Sequence, residues 1–216
     1  MNKSKKNLLI VIASIVAVIA LLAIAVGILE HIEQKKAEKQ AQEELVVDYD
    51  FYPADFTRNI LEEEGYQKIM QDGFLRYCDF YATNETIGIS SETASNYGEE
   101  VGFLVDYLYT IIKGDHTAYN DCFSEEYYQS GQPKKDAFTM QQLKNILLTK
   151  ISQENVTENG ENYTKFIYCV EYQINENNGT FRKDIGDGSR PQYLVITNRS
   201  GTWKIDAVTI ITGKAS

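Results

Sequence analysis

The chain has 216 residues, 43% of them hydrophobic and 12% aromatic, with 21 basic and 31 acidic side chains and a net charge of −10. That apolar content excludes a disordered chain, and the acidic balance excludes a nucleic-acid partner, whose phosphates must be neutralised by lysine and arginine. Two histidines and three scattered cysteines form no H-E-x-x-H, C-x-x-C or histidine cluster, so the sequence implies no metal, no cofactor and no disulfide framework.

Residues 1–7, MNKSKKN, form a short basic tail. Residues 8–29, LLIVIASIVAVIALLAIAVGIL, carry no charge. At about 1.5 Å per residue such a helix is roughly 33 Å long, enough to cross a hydrocarbon core, and a transmembrane helix is expected. Lys3, Lys5 and Lys6 directly precede it, whereas Lys35, Lys36 and Lys39 lie farther off among glutamates. The positive-inside rule then places the N-terminus in the cytoplasm and the C-terminal part outside it, in a single-pass cell-membrane protein. The rival is a cleaved signal peptide with Ala23-Ile24-Ala25 as its site, but the apolar run continues past it. Beyond the span, 18 basic residues face all 31 acidic ones, about −13, which also opposes adhesion to anionic lipid.

Residues 30–45, EHIEQKKAEKQAQEEL, are strong helix formers without a sustained heptad, and predict a solvated helical stalk. Residues 46–91 are an aromatic-rich segment. Pro53 breaks the helix, TRNILEEEGYQKIM reads as a short helix with Thr57 as cap, and FLRYCDF and ETIGIS read as a hairpin. Within it, Tyr49, Phe51, Tyr52 and Phe56 are candidate binding residues, because such rings supply contact area at low entropic cost. The bland reading is that they pack onto the following domain.

The stretch SSETASNYGEEVGFLVDYLYTIIKGD predicts a long helix with Phe103, Leu104, Tyr107, Leu108, Ile111 and Ile112 on one stripe, stopping at Gly114. HTAYNDCFSEEYYQ gives short helical turns. TMQQLKNILLTKI predicts a further amphipathic helix through Met140, Leu143, Ile146 and Leu147. From Ile151 the period shortens to two, and ISQENVTENG, NYTKFIYCVEYQI, PQYLVITNR and TWKIDAVTII predict strands separated by Asn- and Gly-rich turns. The expected class is α+β: after the membrane helix and stalk, an antiparallel sheet packed on a long helix.

The helix, the KGDHTAYNDCF that follows it and the strands ending GTWKIDAVTI resemble the nuclear transport factor 2-like superfamily over about residues 92–213. The resemblance implies that residues 92–216 form a cone, in which a curved sheet wraps the long helix and Trp203 on the last strand fills the core between them. That superfamily hosts isomerases, dehydratases, transport factors and secretion scaffolds, so the resemblance names no reaction. If the domain is an enzyme, His116 and Asp106 are the candidate general bases. Asp106 falls opposite the apolar stripe, and neighbours such as Asp115 and His116 seldom face one pocket. The Asp184-Ile-Gly-Asp187-Gly188 run lacks the spacing of a calcium loop and reads as a flexible connection.

The expected function is therefore a membrane-anchored extracytoplasmic binding or scaffold protein with protein partners, in a cell-envelope, secretion or conjugation assembly, and not an enzyme. The alternative is a cone-fold enzyme or small-ligand binder that uses the cavity.

Overall fold

The computed structural model describes residues 49–210 except 72, 81, 159 and 200. The tail, span and stalk predicted over 1–45 lie outside the described residues. Among those described, no helix is long and apolar enough to cross a membrane.

The chain runs extended to a 3-10 turn at Ile60–Glu62, where the Asn59 side chain accepts from Leu61 N. Thr57, the predicted cap, bonds Asp55 instead, so the helical backbone starts later than expected. Helix α1, Glu64–Ile69, follows. Arg58 ties this segment to the far end of the sheet, donating to Glu63 at 2.5 and 2.8 Å and to Glu176 at 2.7 Å. Strands β1, Leu75–Asp79, and β2, Thr86–Ile89, form the expected antiparallel hairpin.

Helix α2, Glu99–Ile112, buries the predicted stripe, apart from Phe103, which is half-exposed. It stops at Gly114, where φ is +66° and a Cβ would lie only 2.8 Å from Met140 N, so the site demands glycine twice over. Two short helices follow. Asp115 caps α3, His116–Asp121, and Ser124 caps α4, Glu125–Gln129.

Strands β3, Gln142–Glu158, β4, Glu161–Asn175, β5, Gln192–Thr197, and β6, Lys204–Ile210, form an antiparallel meander. The sheet order is β2-β1-β3-β4-β5-β6. It is mixed and not wholly antiparallel as expected, because β1 pairs β3 in parallel. Those strands are joined by β2 and three helices, a connection long enough to bring the chain back in the same direction.

The amphipathic helix predicted over TMQQLKNILLTKI does not form, since β3 already begins at Gln142. The cause is a bulge. Between Lys144 and Leu147 three steps on β3 oppose two on β4, and Asn145 takes φ 55°. One extra residue turns the strand spacing of two into three, so Leu143 and Ile146 both face the core and imitate a helical stripe.

The core joins α2 to the sheet through Leu104, Leu108, Ile111, Leu143, Tyr168 and Ile205, all at 1% exposure or less. Trp203 does not occupy it as predicted. It precedes β6, is half-buried and rests on Phe166 with ring centroids 5.5 Å apart, while Ile205 is the fully buried residue of GTWKID. The paired strand begins only at Lys204, so the alternation that turns Ile205 inward does not extend to Trp203, which sits at its mouth. Cys78, Cys122 and Cys169 are free thiols.

Candidate functional site

The richest concave surface lies between helices α3 and α4 with the segment after them, and the connection from β4 to β5. Its floor is a stack of rings. Tyr119 meets Phe123 at 5.1 Å and Phe181 at 5.4 Å, and Phe123 meets Tyr127 at 4.4 Å. Such tilted and edge-on pairs add attraction beyond area burial. Asn120 clamps one wall: its amide donates to Lys135 O at 2.9 Å and its oxygen accepts from Lys135 N at 2.8 Å. The Tyr128 hydroxyl donates to Asn120 O at 2.7 Å. The resulting cleft, about 440 Å³, is lined by Tyr119, Tyr127, Tyr128, Lys134, Lys135 and Lys183 among others. A second cleft of about 360 Å³ adjoins it, sharing Tyr119, Lys135, Thr180 and Lys183 and adding Arg182 and Asp184.

The opposite wall, expected as a flexible connection, is organised by a buried hub. The Asn177 amide donates to Arg182 O, Ile185 O and Gly186 O at 3.1, 2.8 and 3.1 Å, and its oxygen accepts from Gly179 N at 2.9 Å. Its backbone N–H donates to the Asp187 carboxylate at 2.9 Å. Asp187 is thus spent inside the loop. Asp184 receives Arg182 at 2.9 and 2.6 Å and Arg190 at 3.4 Å. Burial alone would raise the Asp184 carboxyl, but Arg182 and then Arg190 outweigh it and hold the group below the usual carboxylate range.

Three cations remain without such partners. Among the described residues no ion pair reaches Lys134, Lys135 or Lys183. Lys134 sits over the Tyr128 ring at 5.4 Å and Lys135 over the Phe181 ring at 5.0 Å. Burial, and then repulsion from Arg182, lower the Lys135 pKa.

A second constellation lies where the N-terminus of α2 meets β1, β3 and β4. Glu100, 6% exposed, accepts from the Tyr168 hydroxyl at 3.3 Å and lies 4.0 Å from Lys150 Nζ. Lys150 also lies 3.5 Å from Asp79, whose carboxylate accepts from Tyr77 at 3.5 Å. Burial, and then Asp79, push the Tyr77 phenol up to about 12, so it stays a neutral donor at ordinary pH. A carboxylate in the first turn of a helix is stabilised by the free N–H groups there. These distances are long, and the cluster reads first as a buried polar joint between helix and sheet.

The residues singled out in the sequence are not brought together. Asp106 is exposed on α2, away from the buried stripe. His116 opens α3 half-buried, and its neighbour Asp115 uses its carboxylate to cap Ala118 N at 2.9 Å, so the two do not form a base and its orienter. Cys122 offers no thiolate either, because burial pushes its pKa up to about 11. The aromatic segment divides. Tyr49 lies against Gly186 and Phe51 against Gly179, where a Cβ would come within 3.1 and 2.8 Å of the respective rings. Tyr52 and Phe56 stay outside, at 50% and 64% exposure. No group of histidine, cysteine and carboxylate side chains placed to hold a metal occurs among the described residues. Sequence reasoning missed the lysines of the cleft, because Lys134 and Lys135 are separated from Lys183 by β3 and β4.

No family model matches this chain, and no match is found among curated proteins or among solved structures.

Proposed function

We propose that this protein is a membrane-tethered, extracytoplasmic binding module whose working surface is the cleft of rings and lysines. The carrying observation is three unpaired ammonium groups around a ring-lined cleft of about 440 Å³ in a chain of net charge −10. Cations concentrated against the overall charge mark a place built for an acidic partner. Tethering rests on residues 8–29, and the extracytoplasmic side on the lysines that precede them. A cone of the nuclear transport factor 2-like kind is supported by α2 followed by four antiparallel strands. Their register shifts near Lys144, Lys150 and Val195 are the devices that bend strands. Tyr52 and Phe56, exposed at the start of the domain, are available to a protein partner.

A second reading, a cone-fold enzyme or small-ligand binder, is favoured by the buried Glu100–Tyr168–Lys150 cluster. Complementation of cells lacking the gene separates the two. Lys135→Met with Lys183→Met is expected to abolish complementation, and Glu100→Gln to retain it. The reverse result, with both variants folded and inserted, overturns the binding reading in favour of the enzyme.

A further inference from the structure

Resting on that reading of the cleft, we infer that its ligand is a phosphate monoester carried on a ring, such as a sugar or aryl phosphate. The charge balance points there first. Lys134, Lys135, Arg182 and Lys183 line the two adjoining clefts, with Asp184 and Asp136 as the carboxylates lining them. Asp184 is already engaged by Arg182 and Arg190. Four cations against two carboxylates leave a local excess of about two positive charges. A monocarboxylate would leave half of it uncompensated, whereas a phosphate monoester brings about −1.5 to −2 at neutral pH. Lysines bind phosphate as mobile point charges and need no fork-like alignment.

A second observation is independent of the lysines. Arg182 is 6% exposed, and its Nη1 is a fully buried side-chain nitrogen without a hydrogen-bond partner, the only such atom among the described residues. The guanidinium lies over the Tyr172 ring at 5.8 Å, so Arg182 brings its charge to the edge of the cleft and not an open donor. Arg182 lines the adjoining cleft together with Lys135 and Lys183. A tetrahedral phosphate offers several acceptor oxygens to groups arriving from different directions.

The body of the ligand is set by the rings. Tyr127 and Tyr128 are half-buried, so each keeps part of its ring surface at the cleft. Flat faces of this kind stack on a sugar or aryl ring. The volume, about 440 Å³, is in the range of small-molecule sites and exceeds what a bare phosphate would fill. The rest of the surface argues against a polymer. The chain carries ten more negative than positive charges, which repels an extended polyanion but leaves a single phosphate to the local cluster.

Titration calorimetry on the full chain in mild detergent tests the assignment, with phenyl phosphate, glucose 1-phosphate, inorganic phosphate and glucose as probes. The two esters should bind at least about tenfold tighter than inorganic phosphate or glucose, with affinity falling as salt rises. Lys135→Met should weaken the esters by roughly tenfold, the loss of one charge-assisted contact. Lys183→Gln should weaken them likewise, and being exposed it leaves the fold untouched. Lys165→Met, which removes the partner of Glu154 on the neighbouring strand, should leave binding unchanged. No saturable ester binding, or equal binding by wild type and both cleft variants, overturns the proposal. If esters fail to bind while Lys135→Met with Lys183→Met still loses complementation, the ligand class is wrong and the binding reading survives. If both fail, that reading falls as well.

Discussion

Asn177→Ala is the sharpest probe of how the cleft is held open. The side chain is 1% exposed and holds three carbonyls and one backbone N–H of the connection between β4 and β5. Its two amide protons are shared among the three carbonyls, so about three full hydrogen bonds are lost. At about 1 kcal/mol net for each, the variant should lose about 3 kcal/mol. For a domain of this size that is a fall in melting temperature of roughly 6–12 °C, read by far-UV circular dichroism on the purified chain. Asn177→Asp supplies a sign test. It keeps the acceptor for Gly179 N, but turns an oxygen and a charge toward three carbonyl oxygens, and should destabilise more than alanine. Phe181, Arg182 and Lys183 ride on the same connection, so both variants should also lose cleft binding. A shift below about 1 kcal/mol, or aspartate milder than alanine, would refute the hub. Burial of Phe181 and Ile185, at 3% and 4% exposure, would then be what holds the loop.

Two further outcomes follow from the packing and charge. Ile205→Ala should cost about 2–5 kcal/mol, the range for a fully buried aliphatic side chain, and Trp203→Ala less, because Trp203 is half-buried; urea unfolding that reverses this order would restore Trp203 to the core. The Asp184 carboxyl has its pKa lowered from 3.8 in the folded state, so its contribution to stability is complete above that value and is lost as pH falls through the lower folded one. The urea midpoint should therefore drop as the pH falls below about 4, and Asp184→Asn should flatten that part of the curve; identical slopes would mean that the Arg182–Asp184 pair contributes nothing to folding.

Much of the fold is legible in local pattern. The stripe from Leu104 to Ile112 specifies α2, FLRYCDF and ETIGIS specify a hairpin, and the alternation of Phe166, Tyr168, Val170 and Tyr172 specifies a strand buried on one face. Each signal is a period carried by neighbouring residues, which holds wherever the element is regular. The beginning of β3 is where regularity fails. The bulge at Asn145 moves Ile146 to the core face three residues after Leu143, and only pairing with β4 distinguishes that spacing from a helical turn. The parallel pairing of β1 with β3 is likewise invisible locally, since it depends on where a connection of more than sixty residues returns the chain. The cleft lies farther still from local pattern. Lys134, Lys135 and Lys183 are ordinary surface lysines in sequence, and EEYYQ is an ordinary helical turn. They become one site only because Asn120 clamps one wall, Asn177 shapes the other, and the Tyr119–Phe181 ring contact draws the two together. Hydrogen bonds and ring contacts between distant segments carry no periodic signature, so this assembly was decided by tertiary structure alone.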